Sequence, residues 1–389
     1  MNFSSGASAI RCVGCYDADL DLFECQYTVP DGISYNSYVI LDDKIAVLDT
    51  IDPRKSEEWM TNLEEALAGR KPDYLIIHHM EPDHSGNVAR LARCYPEMKL
   101  VGNAKTFTML TQFTGEDYAG RTMMVKEGDT LGLGSHTLQF FMAPMVHWPE
   151  VMVSYEQTEK VLFSADGFGR FGNPDRSLPW DDEARRYYTN IVGKYGTQVQ
   201  ALLKKLFGLE LRAICPLHGP VLTGERISRA VELYDLWSRY EPEERGVLVA
   251  FASIHGHTAQ AAWELGEMLN KAGVKVQVFD LARQDWAEAV AQAFRYSGMV
   301  LAASSYDAGV FTPMAQFLYR LKMKSLRNRV VGLVENGSWG PTALKTMQEA
   351  LAEMRDMTVV EPAVTIRSAL NADSRAQMEQ LAASMVQAV

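Results

Sequence analysis

The chain has 389 residues, of which 47% are hydrophobic, and it carries a formal net charge of −11. This length predicts two or three domains with a sizeable buried core. An acidic chain without a basic cluster argues against a nucleic-acid surface. The N-terminus lacks the features of a secretory signal, and no run approaches the ~20 apolar residues that span a bilayer. We therefore expect a soluble cytoplasmic protein.

The five cysteines are few, scattered and odd in number. Such usage speaks against a disulfide framework and fits a reducing compartment. Cys12 and Cys15 form a C-x-x-C motif, but no second motif of this kind completes a four-thiolate metal site. We interpret this pair as structural or incidental, with a redox or metal-binding role as the alternative.

The first half of the chain predicts sheets covered by helices. Two short apolar runs, 38–41 and 45–48, flank a polar turn and predict a hairpin. A charged amphipathic helix is predicted over 54–68. Further strands are predicted over 74–77, 122–125, 137–142, 151–155 and 161–164. Hairpins followed by helices are typical of mixed sheets rather than purely parallel ones.

The second half follows a different pattern. A charged stretch with a proline at 240–245 predicts a domain boundary and divides the chain into 1–244 and 245–389. Beyond it, apolar strands alternate with helices that begin near residues 258, 285, 313, 341 and 373. The strands are predicted over 247–252, 274–279, 299–303, 330–334 and 358–364. This alternation predicts an α/β domain with a doubly wound parallel sheet of five strands.

Residues that bind metals in proteins are concentrated in one short loop after the apolar run 74–77. Four of them lie within six residues, namely His79, Glu81, Asp83 and His84. Three more follow later apolar segments, namely His147, Asp166 and His218. One ion needs fewer ligands than these, whereas two ions that share a bridging carboxylate would use the whole set. Asp166 is the natural bridge, because the remaining groups then divide into two sets of similar size.

The order H-x-[HE]-x-D-H, followed by a distant His, an Asp and a His, resembles the metallo-β-lactamase superfamily. The usual zinc form of that superfamily has His at the second ligand position. Glu81 stands there in this chain, which makes it similar to the flavodiiron proteins, also called A-type flavoproteins. An oxygen donor beside imidazole suits non-haem iron better than zinc.

The resemblance implies a metallo-β-lactamase-like αββα sandwich with two iron ions in each subunit. One iron would be bound by His79, Glu81, His147 and the bridging Asp166. The other would be bound by Asp83, His84, Asp166 and His218. His78 lies outside this pattern and would face the opposite side of its strand, so we expect it to have a structural or supporting role.

Three loops of the second half are typical of a mononucleotide site. Residues 253–258 follow the first strand and open a helix, where backbone N–H groups can bind a phosphate. The loops 304–310 and 335–340 follow the third and fourth strands at the same edge of the sheet. No G-x-G-x-x-G follows the first strand, which disfavours a dinucleotide.

Together these loops resemble flavodoxin, in which the first binds the FMN phosphate and the others flank the isoalloxazine ring. Tyr306 and Trp339 are the aromatic candidates for packing on that ring. His255 and His257 replace the small or amide residues of the commonest loop, and their positive charge, when protonated, would favour the phosphate. The resemblance implies FMN contacts from Ser253, His255, Gly256, His257, Thr258, Ser304, Ser305, Tyr306, Asp307, Ala308, Gly309, Asn336, Gly337, Ser338, Trp339 and Gly340.

The flavodiiron resemblance implies an oxidoreductase that reduces O2 to water, NO to N2O, or both. Electrons would pass through FMN to the iron pair from a separate donor, because the chain has no rubredoxin-like pair of C-x-x-C motifs. A rubredoxin is the first expectation for that donor and a deazaflavin the second. The resemblance also implies a head-to-tail homodimer, or a dimer of such dimers. Neither nucleic acid nor a membrane is expected as a partner.

Two other functions are compatible with the same residues. The first is a metallo-β-lactamase-type zinc hydrolase with a flavodoxin-like regulatory module. The second is an electron-carrier flavoprotein whose metal site is only structural. The metal content and the consumption of O2 or NO would distinguish these functions.

Overall fold

A computed structural model describes residues 9–389. They divide into two compact units. The first contains the described residues up to Tyr188 together with Thr197–Asp235, and the second contains Thr189–Gly196 and Leu236–Val389. The second unit thus includes a short segment from within the predicted first domain, 1–244, which no feature of the sequence indicates. The boundary between 244 and 245 stays a prediction.

The helices of the described residues include short turns as well as long amphipathic segments. The α-helices are α1 (Ser56–Leu67), α2 (Pro82–Ser85), α3 (Val88–Cys94), α4 (Ala104–Thr114), α5 (Asp181–Tyr187), α6 (Gly196–Leu206), α7 (Glu225–Arg239), α8 (His257–Lys271), α9 (Trp286–Arg295), α10 (Thr312–Met323), α11 (Ala343–Ala352) and α12 (Ala372–Ala388). Short 3-10 turns lie at Pro53–Lys55 and Gly193–Tyr195, and a π-helical turn at Tyr188–Val192. Within residues 9–389, no helix combines the length and apolar character needed to cross a bilayer.

Two six-stranded sheets form most of the first unit. In spatial order the first sheet contains β1 (Ile10–Cys12), β6 (Tyr38–Leu41), β7 (Ile45–Leu48), β8 (Tyr74–Ile76), β9 (Lys99–Gly102) and β10 (Thr122–Met124). The second contains β11 (Thr130–Gly132), β12 (Thr137–Met142), β13 (Met152–Glu156), β14 (Val161–Phe163), β15 (Ala213–Cys215) and β16 (Leu222–Thr223). Two small ribbons pair β2 (Cys15–Asp17) with β5 (Ile33–Tyr35), and β3 (Leu22–Phe23) with β4 (Tyr27–Thr28).

The two sheets share one hydrophobic core. Ile40 and Ile76 from the first sheet cluster with Phe140 and Phe163 from the second, and all four are almost completely buried. Burying one such side chain contributes about 1.5–3 kcal/mol, so this face-to-face packing stabilises the unit. The helix α1 packs against β6 but contributes nothing to that cluster, so it covers the outer face of the first sheet. The arrangement agrees with the predicted αββα sandwich.

The hairpin predicted over 38–48 is present, with β6 and β7 paired in antiparallel register. The strands β7, β8 and β9 then run parallel to one another. Parallel strands end at the same edge of a sheet, so the loop after β8 lies beside the end of β7. The predicted ligand loop therefore lies at this edge of the first sheet.

The second unit contains one twisted sheet between two layers of helices. Its parallel strands follow the spatial order β18 (Val276–Asp280), β17 (Glu244–Ala252), β19 (Tyr296–Tyr306), β21 (Arg329–Asn336) and β22 (Met357–Val359). Two short strands complete it, β20 (Gly309–Val310) on β19 and β23 (Val364–Ile366) on β21. Successive residues of β17 alternate between two cores, so Val247 and Val249 pack with α8 and α12, whereas Leu248 and Ala250 pack with α9, α10 and α11.

The prediction of a single fifth strand over 358–364 is wrong in detail. Two short strands, β22 and β23, replace it, and both pair in parallel with β21. Pro362 lies between them and has no N–H group to donate to the ladder, so the strand is interrupted there. Pairing continues up to Val360, whose N–H donates to the carbonyl of Val331 at 3.0 Å.

Candidate functional site

The ligand loop changes from an extended segment to a helical turn within a few residues. His79 and Glu81 lie on the extended part, and Pro82 begins the turn α2. Proline suits the first position of a helix because its missing N–H would have no helical partner there. Asp83 and His84 follow on the turn, and the N–H of His84 donates to the carbonyl of Glu81 at 2.9 Å. The change of backbone conformation at Pro82 thus separates the pair His79 and Glu81 from the pair Asp83 and His84.

The seven predicted ligand side chains come from both sheets of the first unit. The loop after β8, in the first sheet, supplies His79, Glu81, Asp83 and His84. Loops after β12, β14 and β15, in the second sheet, supply His147, Asp166 and His218. The structure brings all seven together at the ends of the two sheets, in two adjoining groups.

The first group contains His79, Glu81, His147 and Asp166, whose candidate ligand atoms lie within 4.8 Å of one another. Glu81 Oε2 is 3.2 Å from His79 Nε2 and 3.0 Å from His147 Nε2. Asp166 Oδ2 is 3.2 Å and 3.1 Å from the same two nitrogens. Two imidazoles and two carboxylates therefore surround one position.

The second group contains Asp83, His84 and His218, which meet the same 4.8 Å limit. Asp83 Oδ2 lies 3.3 Å from His84 Nε2 and 3.2 Å from His218 Nε2. Asp166 faces this group through its other oxygen, Oδ1, which is 3.1 Å from His84 Nε2 and 3.7 Å from His218 Nε2. The two oxygens of one carboxylate thus point to two different groups of ligands.

Burial and charge make this cluster suited to cations. Burial lowers the pKa of His79, but Asp166, Glu150 and Glu81 beside it raise that pKa well above its usual range. Burial also lowers the pKa of His147, yet Asp166 and Glu81 raise it to about 9. Burial raises the pKa of Asp166, whereas the imidazoles of His84 and His79 hold it well below its usual range. Electrostatics that favour a proton on His79 and on His147 also favour a metal cation between them.

Several buried oxygens of the cluster have no hydrogen-bond donor among residues 9–389. They are both carboxylate oxygens of Asp83 and Oδ1 of Asp166. A buried anionic oxygen without a donor is costly unless a cation compensates for it. Imidazole nitrogens together with carboxylate oxygens suit first-row transition metals, and iron in particular where oxygen donors are frequent. The residues therefore fit a pair of iron ions.

His78 is buried outside this cluster. Its Nδ1 lies 2.5 Å from Asp49 Oδ2, and its Nε2 lies 2.8 Å from Ser154 Oγ. Asp49 also accepts the backbone N–H of His78 at 2.7 Å. These bonds connect the end of β7, the start of the ligand loop and the strand β13, which is a structural role.

Two contacts that orient the ligands were missed by the sequence analysis. Glu150 Oε1 lies 2.8 Å from Nδ1 of His79, and the carbonyl of Ser34 lies 2.7 Å from Nδ1 of His218. Metal-binding histidines usually donate their second ring N–H to such an oxygen. A carboxylate three residues after His147 was the available signal for Glu150, whereas a backbone carbonyl gives no sequence signal.

The second unit contains a cavity of about 580 Å³ at the carboxyl edge of its sheet. Its lining includes most of the residues predicted to bind FMN: Ser253, His255, His257, Thr258, Ser304, Ser305, Tyr306, Asp307, Ala308, Asn336, Gly337, Ser338, Trp339 and Gly340. Gly256 and Gly309 belong to the same loops but do not line it. Ile254, Thr342 and Ser368 line it and were not predicted. The volume is within the usual range for a cofactor site of roughly 300–1,000 Å³.

Hydrogen bonds between hydroxyl groups connect the loops around this cavity. Thr258 Oγ1 is 2.9 Å from Ser304 Oγ, and Ser368 Oγ donates to Ser338 Oγ at 2.8 Å. Ser368 follows β23, so a fourth loop joins the three predicted ones. The same rule that placed the other loops applies to it, since it also follows a strand at the carboxyl edge.

The loop 253–258, which is predicted to bind the FMN phosphate, has the backbone geometry that a helix N-terminus needs. Gly256 precedes α8 with φ of +92°, a conformation that residues with a side chain rarely adopt. Its N–H donates to Ser253 Oγ at 3.1 Å. His257 begins the helix, and its imidazole lines the cavity. An exposed helix N-terminus of this kind attracts an anion such as a phosphate.

Replacing Trp339 with alanine is expected to weaken FMN binding. The indole is 93% exposed at the rim of the cavity, which is unusual for so large an apolar side chain unless it covers a ligand. Lost stacking of about 1–3 kcal/mol would raise the FMN dissociation constant roughly 5- to 150-fold. Fluorescence titration of the flavin-free protein measures this constant. Trp263→Ala is the matched control, because Trp263 is 55% exposed but lies outside the cavity lining; equal effects from both variants would contradict the assignment.

Comparisons with known proteins identify both units. A family described as "ODP family beta lactamase" matches residues 33–219, and the flavodoxin family matches residues 249–380. A rubredoxin-oxygen oxidoreductase of Megalodesulfovibrio gigas is 28% identical over 381 residues, which is 95% of this chain and 93% of that protein. The structure of rubredoxin oxygen:oxidoreductase from Desulfovibrio gigas matches with a TM-score of 0.90 at 25% identity, over 98% of this chain and 96% of that one.

The chain belongs to the flavodiiron proteins. The predicted fold class, a metallo-β-lactamase-like domain followed by a flavodoxin-like domain, is confirmed. The flavodoxin match implies FMN as one cofactor, and the two groups of clustered side chains fit two metal ions.

Some flavodiiron relatives are longer than this chain. It spans 62% of the length of a putative diflavin flavoprotein A 2 from Synechocystis, at 27% identity over 93% of this chain. An anaerobic nitric oxide reductase flavorubredoxin of Pectobacterium atrosepticum is 27% identical over 88% of this chain and 70% of that protein.

Proposed function

We propose that this chain is a cytoplasmic oxidoreductase that reduces O2 to water, NO to N2O, or both, at a di-iron centre supplied with electrons through FMN. One observation carries the proposal: Asp166 directs Oδ2 to one group of ligands and Oδ1 to the other. A carboxylate with that geometry fits a bridge between two metal ions. The relatives named for O2 and NO reduction support the choice of substrates.

In this proposal one iron is bound by His79, Glu81, His147 and Asp166, and the other by Asp83, His84, Asp166 and His218. Bound iron, together with reduced FMN, would supply the electrons and the open coordination positions that a small oxidant needs. The side chains of the centre hold that chemistry in a site that is nearly closed to water, because most of the ligands are buried. Glu81 and Asp83 are the more accessible members, with side chains 15% and 11% exposed.

The electron donor is proposed to be a separate rubredoxin-like protein, with a deazaflavin as the second candidate. Gas consumption tests the function directly. The purified protein is kept without oxygen and supplied with reduced rubredoxin as donor. Known amounts of O2 or of NO are then added, and the concentration of each gas is followed with a gas-specific electrode. Consumption of at least one gas with FMN and iron present is the expected result, and the ratio of the two rates gives the preferred oxidant. If FMN is reduced but neither gas is consumed, the chain is an electron carrier instead.

The zinc hydrolase hypothesis is excluded or supported by metal analysis. Protein purified without oxygen is expected to contain iron at both positions together with FMN. Zinc at those positions, combined with hydrolysis of a thioester or a lactam, would overturn the oxidoreductase proposal. Glu81 favours iron here, because it supplies an oxygen where the zinc form supplies an imidazole.

The chain is further proposed to act as a head-to-tail homodimer, or as a dimer of such dimers, in which FMN of one subunit serves the irons of the other. A mixture of two inactive variants should then regain activity. Gly256→Val strains the backbone of the flavin loop, where φ is +92°, and His79→Ala removes a metal ligand. After subunit exchange, about one quarter of wild-type activity is expected, because half the dimers are mixed and each contains one intact pair of sites.

Each variant alone provides the control for this mixture and should remain inactive under the same exchange conditions. Metal and flavin contents of both variants must first establish that Gly256→Val lacks only FMN and that His79→Ala lacks only iron. An exchanged mixture without any recovered activity would contradict transfer between subunits.

A further inference from the structure

Glu150 is a buried carboxylate that contacts a predicted metal ligand without belonging to the ligand groups. Its side chain is completely buried, and Oε1 lies 2.8 Å from Nδ1 of His79. The same oxygen accepts the backbone N–H of Met80 at 2.8 Å. Oε2 has no hydrogen-bond partner within residues 9–389. A fully buried charge of this kind is costly to keep, so a compensating function is expected for it.

The backbone of Glu150 is fixed independently of its carboxylate. Its carbonyl accepts a hydrogen bond of 2.5 Å from the side-chain amide of Asn103. Asn103 is also the N-cap of α4, where it accepts the N–H groups of Lys105 and Thr106. Glu150 is therefore held from a helix end on one side while its carboxylate reaches His79 on the other. This arrangement fixes the imidazole ring before any metal binds.

The two histidines of the second group have weaker partners on their second nitrogen than His79 has. Nδ1 of His218 faces a neutral backbone carbonyl, that of Ser34. Nδ1 of His84 has no partner among the described residues. Neither histidine of the second group therefore has a carboxylate behind it. The two groups differ in the charge that lies behind their histidines.

The charge of Glu150 adds to that of the proposed ligands. Glu81, Asp83 and Asp166 supply three negative charges, and Glu150 makes four, which equals the positive charge of two ferrous ions. The extra charge lies next to one metal position only. Because His79 would donate its Nδ1 proton to Glu150, its Nε2 is left as the metal-binding nitrogen, with increased electron density.

We propose that Glu150 is a positioning residue that makes the two metal positions unequal. It fixes the tautomer and the orientation of His79, tightens metal binding at that position and lowers the reduction potential of the centre. This inference rests on the proposed function, because it requires two metal ions bound by the two groups.

Chelator challenge of the iron-loaded protein tests the inequality. Anaerobic holoprotein is dialysed against increasing EDTA, and the iron that remains bound is measured at each concentration. In Glu150→Ala one of the two irons should dissociate at an EDTA concentration roughly 10- to 100-fold lower than in the wild type. The other iron should dissociate at nearly the same EDTA concentration as in the wild type. Glu150→Gln keeps an oxygen acceptor for His79 but lacks the charge, so it should lie between Glu150→Ala and wild type.

Glu156→Gln is the matched control. Glu156 is also completely buried in the first unit, and its hydrogen-bond donors among residues 9–389 are the backbone N–H groups of Thr137, Thr158 and Glu159. The control should release both irons as the wild type does. Equal weakening of both irons in Glu150→Ala, or no weakening at all, would overturn the proposal. Circular dichroism of each variant must match wild type, and if Glu150→Ala fails this criterion, Glu150→Gln alone decides.

The reduction potential of the iron centre is a second measurement. A substitution that only disturbed the packing around the centre would not shift this potential in a predictable direction. Loss of a negative charge beside a metal disfavours its more oxidised state. The midpoint potential of the iron centre should therefore rise in Glu150→Gln, as followed by EPR during a redox titration, while that of FMN stays unchanged. A wild-type protein that binds fewer than two metal ions would contradict the proposed function. A wild-type protein that binds two ions, together with Glu150 variants whose potential and iron affinities are unchanged, would contradict only the role of Glu150.

Discussion

Replacing Asp166 with alanine is expected to remove iron from both positions and to reduce gas consumption to background, while FMN remains bound. Among residues 9–389, Asp166 is the side chain that places one oxygen in each ligand group, 3.1–3.2 Å from nitrogens of the first group and 3.1–3.7 Å from those of the second. Its loss deprives each position of an anionic ligand and leaves four buried imidazoles around a less negative centre. Both metal sites are therefore weakened by one substitution.

Iron measured by mass spectrometry and FMN measured by absorbance, on the same sample, test this prediction. Asp166→Asn keeps the shape of the side chain without its charge and should lose most of the iron as well. His136→Asn is the control, because His136 is also buried in the first unit but pairs with Asp42 and Glu159, which are not among the predicted ligands. If Asp166→Ala retained one iron at full occupancy, Asp166 would belong to a single position and the bridge would be wrong.

Replacing Glu81 with histidine is expected to shift the metal preference from iron toward zinc and to abolish gas reduction. Oε2 of Glu81 lies between His147 and His79, at 3.0 Å and 3.2 Å from their Nε2 atoms. Histidine there would give the first position three imidazoles and one carboxylate, a ligand set typical of zinc. The substitution also removes one negative charge from the centre, which disfavours ferric iron.

Cells supplied with equal iron and zinc provide the material for this comparison, and the ratio of the two metals in the purified protein is the measurement. Glu81→Gln separates the two causes, since it removes the charge but keeps an oxygen donor. It should bind less metal without acquiring zinc selectivity. A Glu81→His protein with two irons and full turnover would show that Glu81 does not determine the metal.

The ligand loop could be predicted from the sequence because its residues are close in the chain and follow a recognisable apolar strand. His147, Asp166 and His218 could be added because each also follows an apolar run, and the order of residues resembles a known family. Glu150 could not be found in the same way, because its contact with His79 depends on how two sheets pack. The partner of His218 is a backbone carbonyl, which every residue possesses.

The flavin loops show a similar limit. Their positions follow from the alternation of strands and helices, because the carboxyl ends of parallel strands form one edge. Ser368 was missed because the predicted fifth strand ended at 364, whereas Pro362 divides that region and the chain reaches the edge only after β23. An error of a few residues at a strand boundary was thus enough for Ser368 to be missed as a lining residue of the cavity.

The ligands of the metal centre come from loops of both sheets of the sandwich, four from the first sheet and three from the second. A bound metal pair therefore acts as a cross-link between two layers that are otherwise joined mainly by apolar packing. Cations that bind only the folded chain stabilise it, by about 2.7 kcal/mol when free metal is 100 times its dissociation constant. The stability of the sandwich would in this way depend on the supply of the metal that its ligand groups bind.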